Sequence, residues 1–406
     1  MFDPLTIKFG EAVWHDRPYQ HPQLQTQVEK DFYNRDEAKD RLKSVLRSDS
    51  RKAAIIMGER RAGKTSLLKL LDHHFANEAS RRFVPVLIPW QGIQSRDELE
   101  KEILQSICLG LDTELPGRDQ LKAKSVHHEA TTTSEFIKTL QQLLPPASGK
   151  ITIICIDEFD SIIQEAHKDE KKKILGLATT LVEIADLPIR LLLTMSRLPD
   201  LPEARSSPLI AKSEQIPLPP FSPADFDEMI QGLVGHIPSR DLQRLYDLSG
   251  GWPYFAKLLL TCLAPLRPDD TWVDRALEAA CKHAGVEQTL ENIYNKHFDE
   301  SERTVMLLLA KRACVSAEEM VAAGIALKTA AEELIRRNYV LKDGNDGSYR
   351  FRIGFLAEWF PQWVKFEEQV ANRLGDTLLR LERVRDPWFE SKAILVSDED
   401  LKHSDL

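Results

Sequence analysis

The stretch that decides the fold reads KAAIIMGERRAGKTS and occupies residues 52–66. Residues 58–65 fit the pattern G-x-x-x-x-G-K-[ST], in which glycines let the backbone curl around one anion. The apolar run at 53–57 predicts a buried parallel strand, and the residues from Thr65 onwards predict a helix. Because strand, loop and helix follow in the order that this pattern requires, the sequence predicts a phosphate-binding loop.

Several residues of this loop are candidates for contact with a nucleotide: Gly58, Glu59, Arg60, Arg61, Ala62, Gly63, Lys64, Thr65 and Ser66. Lys64 is expected to reach the β- and γ-phosphates, and the hydroxyl of Thr65 is expected to bind Mg²⁺. The helix N-terminus adds a dipole that favours an anion. For Arg60 and Arg61 the sequence leaves three alternatives open, which are phosphate contact, a solvated side chain, and a grip on a neighbouring element.

Further strand-like runs lie at residues 82–90, 151–156 and 189–197, and helical periodicity covers 97–111 and 169–186. Strands that alternate with helices predict a parallel, doubly wound sheet. Pro85 favours an irregular or edge position for the second strand, because proline cannot donate to a neighbouring strand. The predicted fold class is therefore α/β, of the P-loop NTPase type.

Polar residues follow two of these strands where the carboxyl ends are expected to meet the loop. Asp157 and Glu158 follow the strand at 151–156, and they predict a magnesium partner and a group that polarises the attacking water. Thr194 and Arg197 close the next strand, where they can sense and neutralise the γ-phosphate. The alternatives are an acidic turn at a strand end and an exposed arginine.

The rest of the chain changes in character after a proline-rich boundary at residues 198–223. A helical stretch continues to about residue 297, and three helices with a hairpin after it predict a winged helix. The recognition helix of that unit would be residues 327–337. The predicted domains are an N-terminal arm (1–30), an ATPase domain (31–215), a helical lid (216–297), a winged helix (298–365) and a C-terminal helix with an acidic tail (366–406).

Composition excludes some classes of protein. The 406 residues are 42% apolar and 29% charged, with a formal net charge of −9. No apolar run approaches the roughly 20 residues of a membrane span, and a net negative charge argues against a chain built to coat nucleic acid. Scattered cysteines and an N-terminus without signal-peptide features predict a reducing, cytoplasmic location.

These motifs in this order resemble the STAND-type, archaeal-ATPase branch of the AAA+ P-loop ATPases over roughly residues 30–365. In that family an N-terminal motif borders the adenine, and Tyr33-Asn34-Arg35-Asp36 matches it, which implies roles for Asn34 and Arg35. The family's G-x-P motif, whose proline packs on the nucleotide, is matched by Gly251-Trp252-Pro253. Its strand ending in T-x-R is matched at residues 194–197 with one residue inserted.

The resemblance implies ATP and Mg²⁺ as ligands and a regulatory switch that hydrolyses ATP slowly. The readout would be nucleotide-dependent assembly or contact with a partner protein, a separate effector or sensor, in a prokaryotic defence or signalling system. Many members hold ADP through a histidine of the winged helix, whereas the corresponding residues 351–355 read FRIGF. Effector domains and repeats that commonly flank the family's ATPase are not recognisable here.

A rival reading is a DNA-binding ATPase, such as a loader or a transposition or replication helper. Lys328, Arg336 and Arg337 of the candidate recognition helix favour it, whereas Glu332 and Glu333 oppose it. A third reading, a scaffold that binds nucleotide without hydrolysis, is disfavoured by the intact loop and acidic pair.

Overall fold

The computed structural model describes residues 35–48, 52–76, 83–88, 91–110, 132–144, 149–184, 186–198, 207–263, 266, 269–344 and 346–364. Residues up to Ile293 belong to one compact unit, and residues from Tyr294 onwards belong to a second. The predicted N-terminal arm, the C-terminal helix and tail, and Asn34 lie outside the described residues. The predicted domain limits stay predictions.

A parallel sheet of five strands organises the first unit. Its strands are β1 (Ala53–Met57), β2 (Phe83–Ile88), β3 (Ile151–Ile156), β4 (Ile189–Met195) and β5 (Ser213–Pro217). The order is β2-β3-β4-β1-β5, and all neighbours are parallel. Every residue of β3 and β4 is buried, which is why these strands read as continuous apolar runs. The predicted parallel α/β sheet is confirmed, and β2 lies at an edge.

Helices accompany this sheet and close its core. They are α1 (Asp36–Arg47), α2 (Lys64–Ala76), α3 (Arg96–Gly110), α4 (Thr133–Leu143), α5 (Phe159–Glu165), α6 (Lys168–Glu183) and α7 (Pro208–Lys212). Leu99 and Ile103 of α3, Phe136 of α4 and Ile174 of α6 are fully buried in one cluster with the strands. Burial of apolar surface at this scale is the main force that holds the layers together.

Strand β5 lies inside the stretch that the sequence predicted to be a boundary. Its residues SEQIP pair with β1, and Ile216 is the one buried side chain among them. A short, polar edge strand carries no apolar run, so hydrophobic periodicity could not find it. The predicted end of the ATPase domain at residue 215 falls within this strand, which continues to Pro217.

Beyond the sheet the first unit is helical, as predicted for residues 223–297. The helices are α8 (Pro223–Val234), α9 (Ser239–Ser249), α10 (Pro253–Leu263), α11 (Trp272–Cys281) and α12 (Ala284–His297), whose residues from Tyr294 onwards belong to the second unit. A capping box between Ser222 and Asp225, with Pro223 in the first turn, fixes the start of α8. Within the described ranges, no helix is both long and apolar enough to cross a membrane.

The second unit combines helices with a small antiparallel sheet. Its elements are α13 (Glu300–Arg312), β6 (Cys314–Val315), α14 (Ala317–Ala322), α15 (Ile325–Arg336), β7 (Val340–Lys342), β8 (Tyr349–Phe351) and α16 (354–364). The strand order is β6-β8-β7, so the predicted hairpin is confirmed and β6 joins it as an additional strand. Three helices and the hairpin thus follow in the predicted order.

A buried ion pair ties the end of α15 to the start of α13. Arg337, just past α15, donates to Glu302 at 2.6 Å, and the two side chains are 7% and 2% exposed. The guanidinium lies over the rings of Phe298 and Tyr339 and also donates to the carbonyl of His297. Arg337 is therefore part of the interior of this unit and not part of a basic surface.

Candidate functional site

The loop between β1 and α2 is shaped by close backbone approaches. Gly58 donates its N–H to the carbonyl of Met195 at 3.1 Å. A Cβ at Gly58 would lie 3.0 Å from the carbonyl oxygen of Leu218, so a larger residue would force this contact apart. Gly63 and Arg61 both have positive φ, at +100° and +68°. The loop curls as the glycine pattern predicts.

Lys64 is buried at the centre of this loop with 5% of its surface exposed. Its Nζ donates to the carbonyls of Gly58 at 2.6 Å and Glu59 at 3.1 Å, and to Ser196 Oγ at 3.3 Å. Burial lowers the pKa of this ammonium, while nearby carboxylates, Asp160 foremost, oppose the shift. The positive charge is thus held within the curve of the loop.

A network of hydroxyl and carboxylate groups joins α2 to the ends of β3 and β4. Thr65 Oγ1 donates to one oxygen of Asp157 at 2.7 Å, and Thr194 Oγ1 donates to the other at 2.6 Å. The Thr194 hydroxyl also accepts the backbone N–H of Glu158 at 2.8 Å. The structure therefore brings together four of the residues that the sequence singled out.

Glu158 has a left-handed backbone, with φ 48° and ψ 48°, at the start of α5. One of its carboxylate oxygens accepts from Arg60 at 2.9 Å and from Ser161 Oγ at 3.4 Å. Of the three alternatives for Arg60, the structure shows the contact with a neighbouring element. Arg61 lies over the ring of Tyr254, 5.1 Å from its centroid.

Asp160 is a buried carboxylate that sequence reasoning did not single out. One oxygen accepts the backbone N–H of Ser196 at 2.9 Å and that of Arg197 at 3.4 Å. Burial raises the pKa of Asp160, and the charge of Lys64 opposes this shift. The signal was present as a third acid in the run DEFD at 157–160. The Arg197 backbone is thereby fixed beside the loop.

Arg35, which the resemblance assigns to the adenine side, also contacts the loop. Arg35 lies 4.4 Å from the ring centroid of Phe221, and its guanidinium is 3.5 Å from the carbonyl of Ala62. Burial lowers the pKa of Arg35 to about 10, and Asp225 opposes the shift. This side chain links the start of α1 to both the loop and the segment before α8.

Gly251, at φ +78°, holds the turn before α10 against the same segment. Its carbonyl accepts the N–H of Phe221 at 2.8 Å, and a Cβ at Gly251 would lie 2.4 Å from the carbonyl oxygen of Phe221. Because that distance is far below van der Waals contact, this turn requires glycine. Pro253 begins α10 directly after it and is half-buried.

The donor set fits a magnesium nucleotide. The hydroxyl of Thr65 and the carboxylate of Asp157 are oxygen ligands of the kind that Mg²⁺ prefers. Lys64 and the N–H groups of the curled loop at the start of α2 suit phosphate oxygens. Fold and loop together define the class, which is a P-loop NTPase with the AAA+ fold.

Comparisons with known proteins agree with this class. Residues 47–199 match the family model of the AAA domain. The Walker-type ATPase PABY2304 of Pyrococcus abyssi is similar, with a TM-score of 0.59 and 18% identity over 83% of this chain and 99% of that chain.

The ORC2 protein of Aeropyrum pernix, solved as ADPNP–ADP complexes, is also similar, with a TM-score of 0.56 and 15% identity over 88% of this chain and 98% of that one. At such low identities both likenesses establish the fold alone. A search of curated proteins finds no match.

Proposed function

We propose that this chain is an ATP-dependent molecular switch that hydrolyses ATP slowly and controls a partner protein. The observation that carries the proposal is the placement of Asp157. Its two oxygens accept from Thr65 and Thr194, so it joins the phosphate loop to the ends of two strands. Glu158 follows directly, which puts a second carboxylate beside a site suited to phosphate and metal.

Each residue of the site has a proposed role. Lys64 and the N–H groups of the loop bind the phosphates, Thr65 and Asp157 hold Mg²⁺, and Glu158 polarises the attacking water. Arg197 neutralises charge that develops on the γ-phosphate. Mg²⁺, when bound, supplies positive charge to the β- and γ-phosphate oxygens.

The helical lid contributes to the same ligand. Asn34, Arg35 and Pro253 are proposed to border the base, as the resemblance implies. The contacts of Arg35 and Gly251 with Phe221 support this, because they connect the lid to the loop through one segment. Nucleotide binding would then favour the closed arrangement of the lid, which is how a ligand shifts a conformational equilibrium.

For the second unit we propose a winged helix that contacts protein, as in the STAND-type branch. The order of α13, α14, α15 and the hairpin supports the winged helix. Val321 and Ile325, at the turn between α14 and α15, are 51% and 83% exposed. Exposed apolar side chains at such a turn suit a protein surface better than a phosphate backbone. The partner would be a separate effector or sensor, or further copies in a nucleotide-dependent oligomer.

The alternative is a DNA-binding AAA+ ATPase that uses α15. Lys328 and Arg336 are exposed on this helix and favour that reading. Arg336, however, pairs with Glu333 at 2.5 Å, and Glu332 is exposed on the same helix. A helix that neutralises its own charge releases fewer counterions from DNA and binds it weakly.

A substitution at Glu158 tests the main proposal. Glu158→Gln should lower phosphate release by about 10²-fold or more while ATP still binds, because the amide cannot polarise water as a carboxylate does. Glu165→Gln, at an exposed acid near the end of the same helix α5, is the matched control. ATP added to Glu158→Gln should change the assembly state or capture a partner. Wild-type turnover in Glu158→Gln would remove Glu158 from the mechanism.

A further inference from the structure

The ion pair between Arg60 and Glu158 occupies the carboxylate that the proposed reaction needs. The guanidinium of Arg60 lies 2.9 Å from Glu158 Oε2, and both side chains are 21% exposed. Ser161 Oγ approaches the same oxygen at 3.4 Å. A carboxylate oxygen that already accepts from a guanidinium and faces a hydroxyl is less available to accept from an attacking water. The observed arrangement therefore suits a resting state.

We propose that Arg60 is a positioning residue that restrains Glu158 and that its release sets the rate of ATP hydrolysis. This inference rests on the proposed function, since it concerns the residue assigned to activate water. Arg60 belongs to the phosphate loop itself, so the restraint and the nucleotide act on the same short segment.

Lys64 connects the loop backbone to this restraint. Its Nζ donates to the carbonyls of Gly58 and Glu59, and Glu59 immediately precedes Arg60. Phosphate oxygens compete with those carbonyls for the ammonium, because a charged acceptor forms the stronger hydrogen bond. Nucleotide binding thus changes the bonding of the backbone next to Arg60, which gives the restraint a physical link to occupancy of the site.

A polar cavity next to the loop offers Arg60 a second position. The cavity has a volume of about 240 Å³ and is lined by Arg60, Arg61, Gln288, Thr289, Asn292 and Ile293. The side chains from α12 include amide and hydroxyl oxygens that can accept from a guanidinium. Arg60 Nε is buried and makes no hydrogen bond with the described residues, so the ion pair leaves one donor unsatisfied. A rotation into the cavity can therefore gain a bond as the pair is lost.

The first test removes the restraint. Arg60→Ala should raise kcat for ATP hydrolysis about fivefold, as expected for the loss of a partly buried ion pair. The Kd of ATP, measured by calorimetry, should change by less than about twofold. Arg60→Lys keeps the charge and should restore slow turnover. Lys69→Ala, which removes a positive charge from the exposed side of α2, is the control and should match the wild type.

A double variant separates restraint from a general effect on structure. Arg60→Ala combined with Glu158→Gln should be as slow as Glu158→Gln alone, because no restrained carboxylate remains to be released. An unchanged or lowered kcat in Arg60→Ala would overturn the inference while leaving the proposed function intact, provided that the wild type depends on Glu158. Absence of turnover in both the wild type and Arg60→Ala would overturn the proposed function as well.

The cavity provides an independent test with nearly isosteric substitutions. Asn292→Asp places a competing carboxylate in the cavity and should raise kcat, since it attracts Arg60 away from Glu158. Asn292→Leu, of similar size and without charge, should not. The increase from Asn292→Asp should disappear in the Arg60→Ala background. A similar increase in both backgrounds would show that the aspartate acts without Arg60 and would overturn the role of the cavity.

Discussion

The carboxyl edge of the five-stranded sheet and the end of helix α15 both carry charges that the sequence singled out, yet they differ in outcome. At the sheet edge, Asp157 meets Thr65 and Thr194, so the predicted neighbours lie together. At the helix end, Arg337, which the alternative DNA-binding interpretation counted as a basic surface residue, is buried against Glu302. The order of the strands in the sheet determines the neighbours of a residue at a strand end. Local sequence does not determine whether a charged side chain at a helix end is buried or exposed to solvent.

The register of the sheet explains the first outcome. Ile156 of β3 pairs with Leu193 of β4, so the next residues along the two parallel strands, Asp157 and Thr194, emerge side by side. The phosphate loop follows β1, which pairs with β4 on its other side. Once alternating strands and helices indicate a parallel sheet, polar residues at the strand ends are bound to converge.

The second outcome depends on contacts distant in sequence. Arg337 finds Glu302 thirty-five residues away, and Glu302 also caps the first turn of α13 through the N–H of Asp299. Nothing in residues 327–337 distinguishes Arg337 from Arg336, whose side chain is 70% exposed. Helical periodicity predicts which side of a helix is apolar, but it cannot predict which distant residue a charged side chain will contact.

Removal of the buried arginine tests whether Arg337 and Arg336 differ in their contribution to stability. Arg337→Ala should lower the free energy of unfolding of the second unit by about 3–5 kcal/mol, because Glu302 would remain buried without its counter-ion. Arg336→Ala, one residue earlier and exposed, should change it by less than about 0.5 kcal/mol. Urea denaturation followed by the fluorescence of Trp359 and Trp363 measures both. Equal stability of the two variants would show that Arg337 is an ordinary surface charge.

Removal of the loop lysine tests whether the residues gathered at the carboxyl edge of the sheet bind phosphate. Lys64→Ala should weaken ATP binding at least about tenfold, or about 1.4 kcal/mol, because the main side-chain charge for the phosphates is lost. Lys69→Ala serves as the control, since Lys69 is exposed on the same helix. Calorimetry with ATP and Mg²⁺ measures the affinities. Identical affinities for Lys64→Ala and the wild type would mean that phosphates bind elsewhere.

The sequence predicted the features that depend on neighbouring residues and missed those that depend on residues far apart in the chain. The loop, the acidic pair and four of the strands carry local patterns, and each was predictable. Strand β5 was not, since four of its five residues are polar or proline and it is defined by its pairing with β1. The sequence also could not predict that Arg60 pairs with Glu158, which is 98 residues away. That pairing depends on the backbone conformation of the loop that holds Arg60 and of the turn that holds Glu158.

The smallest expected effect concerns DNA, and it tests whether the end of α15 is a nucleic-acid surface at all. A double charge reversal at Arg336 and Arg337 would confound binding with unfolding, because Arg337 is buried. Lys328→Glu with Arg336→Glu changes exposed residues alone.

We expect the wild type to bind duplex no tighter than the non-specific range of about 10⁻⁴–10⁻⁶ M at physiological salt, and the double variant to differ little. Fluorescence anisotropy with a labelled duplex, repeated with ATP and across a salt series, measures this. The reason is electrostatic, since Glu333 already pairs with Arg336 and Glu332 adds a further negative charge to the helix, on a chain of net charge −9. Sub-micromolar, ATP-dependent binding by the wild type that the double variant loses would instead make α15 a DNA-binding helix and favour the alternative function.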